Sequence, residues 1–310
     1  MKDRRSVWSD AAIQKRVGKE FVAAADEVWR LEHCPGPESE LFMRSANVGH
    51  YAGDPKSLQG IYAFAPNGRF LASLNSDDPA EVTAMIEKAL EEWAKVPERD
   101  RYLETDPSTV DRVERPEDAY PANGLVLRVV SRDLPGRKLP DDWRRYAWNM
   151  DNAWFRGEEA RALLPERQEV GAQVEVPRAL LERLARCHLV DNVRGQTSSL
   201  PAEGVEKAEM VAEVEKVEKG RVTLRLRGES RAVQESHGVE VSLLGSAEFD
   251  TTQGRFVAFE LVAVGTRWGG TEFNGREDDD GSDPVGFLFT LAGDTSAEHV
   301  APELLGDYGW

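Results

Sequence analysis

The chain has 310 residues, 56 of them acidic and 39 basic, for a formal net charge of −17. That balance excludes a nucleic-acid partner, which needs clustered Lys and Arg, and it opposes docking on an anionic membrane. Two cysteines cannot staple a chain of this size, 40% hydrophobic residues is too many for wholesale disorder, and no apolar run approaches the roughly 20 residues of a membrane span.

The length predicts two domains, with the acidic surplus read as a solvated shell. The opening MKDRRSVWSDAAIQKRV is basic but lacks an apolar core, so no secretory signal is expected and the cytoplasm is the default. Residues 9–17 read as a short helix capped by Ser9 or Asp10, with Ile13 and Val17 one turn apart. Phe21–Ala25 fits a buried strand, with a helical segment as the rival. HCPGPES, residues 33–39, is a turn or loop.

Residues 60–75 carry the clearest local signal. Ile61–Ala65 and Arg69–Leu74 read as strands joined by Pro66-Asn67-Gly68, where Asn-Gly supplies the left-handed conformations of a hairpin turn. Asp77-Asp78-Pro79 then starts a helix with Val82, Met85, Ile86, Ala89, Leu90 and Trp93 on one face, ended by Pro97. The Pro-, Asp- and Glu-rich stretch 98–123 is the predicted linker between a domain at 1–97 and one at 124–310. Leu125–Val130 is a strand. An aromatic, mixed-charge stretch follows, and Pro177 opens a helix through Cys187 with Leu180, Leu181, Leu184 and His188 in register.

From residue 205 the period changes to two. Val211–Val217, Arg221–Arg227, Val239–Leu244, Ala247–Asp250, Arg255–Val264 and Val285–Leu291 read as strands, with turns at Lys219-Gly220 and Gln253-Gly254. The expected fold class is therefore α+β: an α/β N-terminal domain followed by a β-rich domain, as an antiparallel sheet, a sandwich or a barrel.

The helix near 9–17, the run at 21–25, the hairpin IYAFAPNGRFLAS and the helix to Trp93 resemble the closing half of a thioredoxin-like domain. The resemblance covers about a third of the chain and implies a thioredoxin-like fold there. It does not extend to the chemistry. A thioredoxin uses CxxC, in which a thiolate attacks a disulfide and a second thiol resolves it. Here Cys34 is followed at i+3 by Pro37, and no proline stands near Leu58-Gln59-Gly60, where the family keeps one.

Four groups of residues are candidates for a site. His33-Cys34 could form a thiolate beside an imidazole, with Cys34 as a catalytic thiol, and His50-Tyr51 could join them in a metal site. Cys187-His188 reads as a buried cysteine and a capping histidine. The polar loop after it offers Asp191, Asn192 and Arg194 as binding residues. Trp268, Asn274 and Arg276 could line a pocket at the end of the sheet. The acidic knot Glu277–Asp280 beside them fails as an EF-hand loop, because Arg276 would take position 1 and Phe287 position 12.

No phosphate loop, nucleophile elbow or zinc-protease motif occurs, and no cofactor or bound metal is expected. The favoured reading is a non-catalytic protein: a redox-inactive thioredoxin-like module joined to a β-rich domain that binds a protein or small molecule. A single-cysteine thiol enzyme using Cys34 is one alternative. A ligand-binding or hydrolytic β-domain around Trp268–Asp283 is the other.

Overall fold

The computed structural model describes residues 5–8, 10–26, 28–52, 58–102, 114–136, 143–271, 273–277, 281–293, 295 and 298–310. They fall into two compact units, Met1–Val113 and Glu114–Trp310, with the division inside the predicted linker stretch.

In the first unit, α1 (Arg5–Trp8), α2 (Ala11–Glu20), α3 (Val28–His33) and α4 (Pro37–Ala46) precede the hairpin β1 (Ile61–Phe64) and β2 (Phe70–Leu74), and α5 (Pro79–Ala94) follows it. Asp10 caps α2, its Oδ1 accepting from the Ala12 and Ile13 amides at 2.8 and 3.0 Å. Ser9, the other predicted cap, lies outside the described residues. Gly68 takes a left-handed φ of 79° in the hairpin turn, and Asn67 Oδ1 accepts from the Arg69 amide. Asp78 caps α5 through the Ala80 and Glu81 amides. Val82, Met85, Ile86 and Ala89 of α5 pack with Ile13 of α2 and with Leu71 and Ala72 of β2 in one core.

The strand expected at Phe21–Ala25 is absent. These residues have no regular structure, and Val22 is fully exposed. Three of the five are alanine, a weak strand former, and β1 and β2 pair only with each other among the described residues. The sheet of this unit is thus two-stranded as described.

The second unit is built on one eight-stranded antiparallel sheet in the order β4-β3-β10-β9-β8-β7-β6-β5. Its strands are β3 (Leu125–Asp133), β4 (Trp148–Phe155), β5 (Gln173–Glu175), β6 (Val205–Glu218), β7 (Arg221–Gln234), β8 (His237–Asp250), β9 (Arg255–Trp268) and β10 (Asp283–Leu291). β6 to β9 form a meander of 14-residue strands. β10 returns beside β9, and β3 pairs with its far side. The two strands expected at 239–244 and 247–250 are one, β8. Gly245-Ser246 reads as a break in sequence. In the sheet, Gly245 sits where a side chain would come within 2.3 Å of the Glu260 carbonyl on β9. The glycine therefore permits close strand approach without ending the strand.

Two helices complete this unit, α6 (Gly157–Arg161) and α7 (Arg178–Cys187). α7 packs on β6 and β7, and Leu180, Leu181 and Leu184 bury against the inward residues of the sheet, such as Leu125, Met210, Leu224 and Leu261. Each such leucine contributes about 1.5–3 kcal/mol through burial. The gap left between helix and sheet is about 10 Å³, the space of a single water. The other face of the sheet is wet, as the alternation of β7 requires. It carries cross-strand ion pairs such as Arg221–Glu248, Arg227–Glu213 and Arg231–Glu206. Among the described residues no helix is long and apolar enough to cross a membrane.

Candidate functional site

Two stretches that the sequence offers separately, 191–194 and 268–283, meet at one end of the large sheet. Cross-strand register sets the frame: Asp283 of β10 lies opposite Arg267 of β9, and Val285 opposite Asp133 of β3. The loop after α7 then packs on the loop after β9. The Gln196 amide donates to the Phe273 carbonyl at 3.0 Å. Gly195 allows that approach, since a Cβ there would stand 1.9 Å from the same oxygen.

Arg276 is the centre of the junction. Its Nε and Nη2 donate to Asp191 at 2.8 Å each, and its Nη1 and Nη2 donate to Asp133 at 3.0 and 2.7 Å. Arg194 Nε donates to the same Asp133 at 2.9 Å. Arg267 Nη1 donates to the Gly281 carbonyl at 2.9 Å, and its Nη2 lies 3.4 Å from Asp283 Oδ2. Arg276 is 0% exposed and Arg267 1%. Burial opposes the Arg276 charge most strongly. The hydrogen bonds to Asp191 and Asp133, and their charges, outweigh it and hold the guanidinium above its ordinary pKa.

Among the described residues three carboxylates thus face three guanidiniums. Such an arrangement adds little net stability against an apolar core, but loss of one member leaves a buried charge uncompensated. The Arg276 forks are occupied by protein carboxylates and closed to solvent, so the chemistry available here is that of a structural clamp. The remaining sequence candidates have local partners. Asn192 Oδ1 accepts from the Thr197 amide and Asn274 Oδ1 from the Thr271 amide, at 2.8 and 2.9 Å. Trp268 is half-buried, with the Arg231 guanidinium 4.9 Å above its ring. Asp278–Asp280, most of the acidic knot, lie outside the described residues.

Asp133 and Arg267 were not among the sequence candidates, and Asp283 entered only as the end of the stretch Trp268–Asp283. One of them carries a readable signal. Arg267 falls on the same inward phase of β9 as Phe259, Leu261 and Ala263, and a charge on a buried phase demands a partner.

Cys34 is half-buried in the turn between α3 and α4, its amide donating to the Arg30 carbonyl at 2.8 Å. His33 beside it is exposed. His50 is committed elsewhere: Nε2 donates to the Gln59 carbonyl at 3.1 Å and Nδ1 accepts from the Ser73 hydroxyl at 2.8 Å. Among the described residues no three His, Cys, Asp or Glu side chains gather to hold a metal ion, so the grouping of His33, Cys34 and His50 does not form one.

Cys187 is a buried free thiol, and burial pushes its pKa up to about 11. His188 next to it ties down the C-terminal segment. Its Nδ1 donates to Asp151 at 3.0 Å, and its Nε2 accepts from the Tyr308 hydroxyl. Arg183 lies 4.6 Å over the Tyr308 ring and holds Glu159 of α6 in a fork at 2.7 and 2.9 Å. For Glu159, burial acts to raise the carboxyl, but the Arg183 hydrogen bonds and the Arg156 amide win and its pKa is lowered.

The outer face of the sheet holds a different kind of feature. Leu244 of β8, Val262 of β9, Leu288 of β10, Val130 of β3 and Met150 of β4 stand in direct register across five strands. Leu244 is 62% exposed and Met150 53%, with Val262 and Leu288 exposed as well. In the adjoining row Val264 and Trp148 are also exposed. At about 4.8 Å per strand the row is about 19 Å long, on a surface otherwise patterned with ion pairs.

No family model matches the chain, and the searches of curated proteins and of solved structures also find no match.

Proposed function

We propose that this chain is a non-catalytic binding protein, with the outer face of the C-terminal sheet as its docking surface for a protein partner. The observation that carries the reading is the apolar row Leu244–Val262–Leu288–Val130–Met150. Isolated surface hydrophobics need no explanation, but five in register make a continuous face for sheet-on-sheet packing. The buried ion cluster supports the same reading, because Arg276 is 0% exposed and its donors are taken by Asp133 and Asp191. In the N-terminal unit, taken as thioredoxin-like, Cys34 has no second thiol at i+3, which supports a redox-inactive module.

The partner that the row's register fits is a second copy of this chain. A two-fold axis along β10 sets Leu288 on Leu288, Val262 on Val130 and Leu244 on Met150. In the next row Glu260 and Arg128 flank Thr290 from either side, so the same axis sets Glu260 of one copy against Arg128 of the other. Within one chain Arg128 pairs with Glu298. The row and its two flanking rows cover about 19 by 14 Å. That is well below the roughly 800 Å² per partner of a standard interface, so the pair is expected to form in the micromolar range or weaker.

Sedimentation velocity from about 1 μM to about 1 mM tests this. The mass should rise with concentration for the wild type and stay monomeric for Leu288→Asp. Glu260→Arg should weaken association, and adding Arg128→Glu should restore it. A wild type that stays monomeric throughout, or a Leu288→Asp variant that associates equally well, overturns the reading.

A further inference from the structure

The N-terminal unit holds a serine and a histidine in one hydrogen-bonded pair. Ser73 lies on β2, opposite Tyr62 of β1, and His50 lies in the loop after α4. Ser73 Oγ and His50 Nδ1 are 2.8 Å apart, and the His50 amide donates to the same Oγ at 2.9 Å. We infer that Ser73 is a reactive serine that accepts an acyl group from an activated ester, with His50 as its base. The inference goes beyond the binding reading above and concerns the other unit.

The tautomer is the first argument. His50 Nε2 is 3.1 Å from the Gln59 carbonyl, which can only accept, so Nε2 carries the ring proton. Nδ1 of the neutral ring is then bare, and the proton between it and Oγ is that of the Ser73 hydroxyl. Hydroxyl, base and a third group that orients the base are the parts of an activated nucleophile. The His50 amide adds to them, since an N–H on Oγ stabilises negative charge as the proton leaves. The Tyr51 and Tyr62 rings pack against the imidazole, with centroids 4.3 and 5.1 Å from its own.

Space is the second argument. A Cβ on Gly49 would stand 2.6 Å from Ser73 Oγ, and one on Gly60 would stand 2.4 Å from His50 Cε1. Neither glycine takes a left-handed φ, so what each supplies is room for this pair. Both members are half-buried, so neither is sealed from a small reagent. In the step itself Oγ attacks the ester carbonyl carbon and its proton passes to Nδ1, while Nε2–H stays on the Gln59 carbonyl and steadies the imidazolium. The bond from carbonyl carbon to leaving oxygen then breaks, and Nδ1 returns the proton to that oxygen. The products are acyl-Ser73 and the free alcohol or phenol.

Acetylation of the full chain by p-nitrophenyl acetate tests the inference, with peptide mapping to locate the acetyl group and nitrophenolate release to count it. The folded wild type should be acetylated at Ser73 ahead of every other serine, and the preference should vanish in concentrated urea. Ser73→Ala should lose that adduct. His50→Gln, with its fold checked by circular dichroism, should slow its formation about 100-fold or more, the usual contribution of a general base. Acetyl groups confined to lysines, the amino terminus or Cys34, or equal labelling of Ser73 in folded and unfolded wild type, overturns the inference without recourse to a variant. An unchanged rate in folded His50→Gln overturns the role of the base. Release that stops at one equivalent agrees with the non-catalytic reading above. Sustained release that needs Ser73 would uphold this inference and overturn that reading.

Discussion

Replacing Arg276 by methionine removes its four hydrogen bonds to Asp133 and Asp191 and leaves both aspartates to find other partners. Their losses differ. Asp133 keeps Arg194, whose Nη2 stands 2.7 Å from its Oδ2. Among the described residues Asp191 retains only the more distant Arg267 Nε at 4.0 Å as an ion-pair partner, and it is 8% exposed. The damage is therefore one buried, under-compensated carboxylate, expected to cost about 3–5 kcal/mol. Adding Asp191→Asn removes that charge and should recover much of the loss, so the two changes should be strongly non-additive. Urea unfolding of wild type, both single variants and the double variant measures this, with the two units fitted as separate transitions. A cost below about 1 kcal/mol for Arg276→Met, or simple additivity in the double variant, would refute the assignment of Arg276 as the centre of a closed cluster.

Two further outcomes follow from the thiols and from α6. Alkylation of the native protein near pH 8 should label half-buried Cys34 and spare Cys187, whose thiol titrates near 11 behind 1% exposure. Equal labelling would mean that α7 is packed otherwise, and Cys34→Ser should change stability by less than about 0.5 kcal/mol. Glu159→Gln should cost about 1–2 kcal/mol at neutral pH. The folded Glu159 carboxyl titrates below its unfolded value of about 4.3. Its contribution is therefore complete above that pH and is lost as pH falls through the folded pKa. Stability curves of wild type and variant should converge as pH falls through the lowered folded pKa, and a gap that does not narrow at all in acid would contradict the Arg183 pairing.

Much of the β-rich unit was legible because its strands alternate. β7, β9 and β10 lie where the period-two pattern of VTLRLR, FVAFELVAV and VGFLFTL predicts them. The hairpin at 61–74 and α5 were legible for a local reason too, since Asn67-Gly68 and Asp78-Pro79 each fix their own backbone. β4 was missed because Trp148–Phe155 mixes aromatic, polar and charged residues on an edge strand of the sheet. The run Phe21–Ala25 misled for the opposite reason: it is apolar, but a strand exists only where another pairs with it. The meeting of Asp191 and Arg194 with Arg276 depends on strand order. β10 lies between β3 and β9, and no local pattern encodes that. Sequence could pick out these polar residues as unusual, but their closure against one another is a property of the assembled sheet.

The clamp around Arg276 also sets an order of events. Its bonds join residues 85 and 143 positions apart in the chain, and Arg194 reaches Asp133 across 61. Closing loops of that length is entropically costly, and no partner is in place until β3, β9 and β10 are aligned. The clamp is therefore expected to form after the barrier to folding has been crossed. Weakening it should leave the folding rate nearly unchanged and accelerate unfolding, so that its main consequence is the lifetime of the folded state.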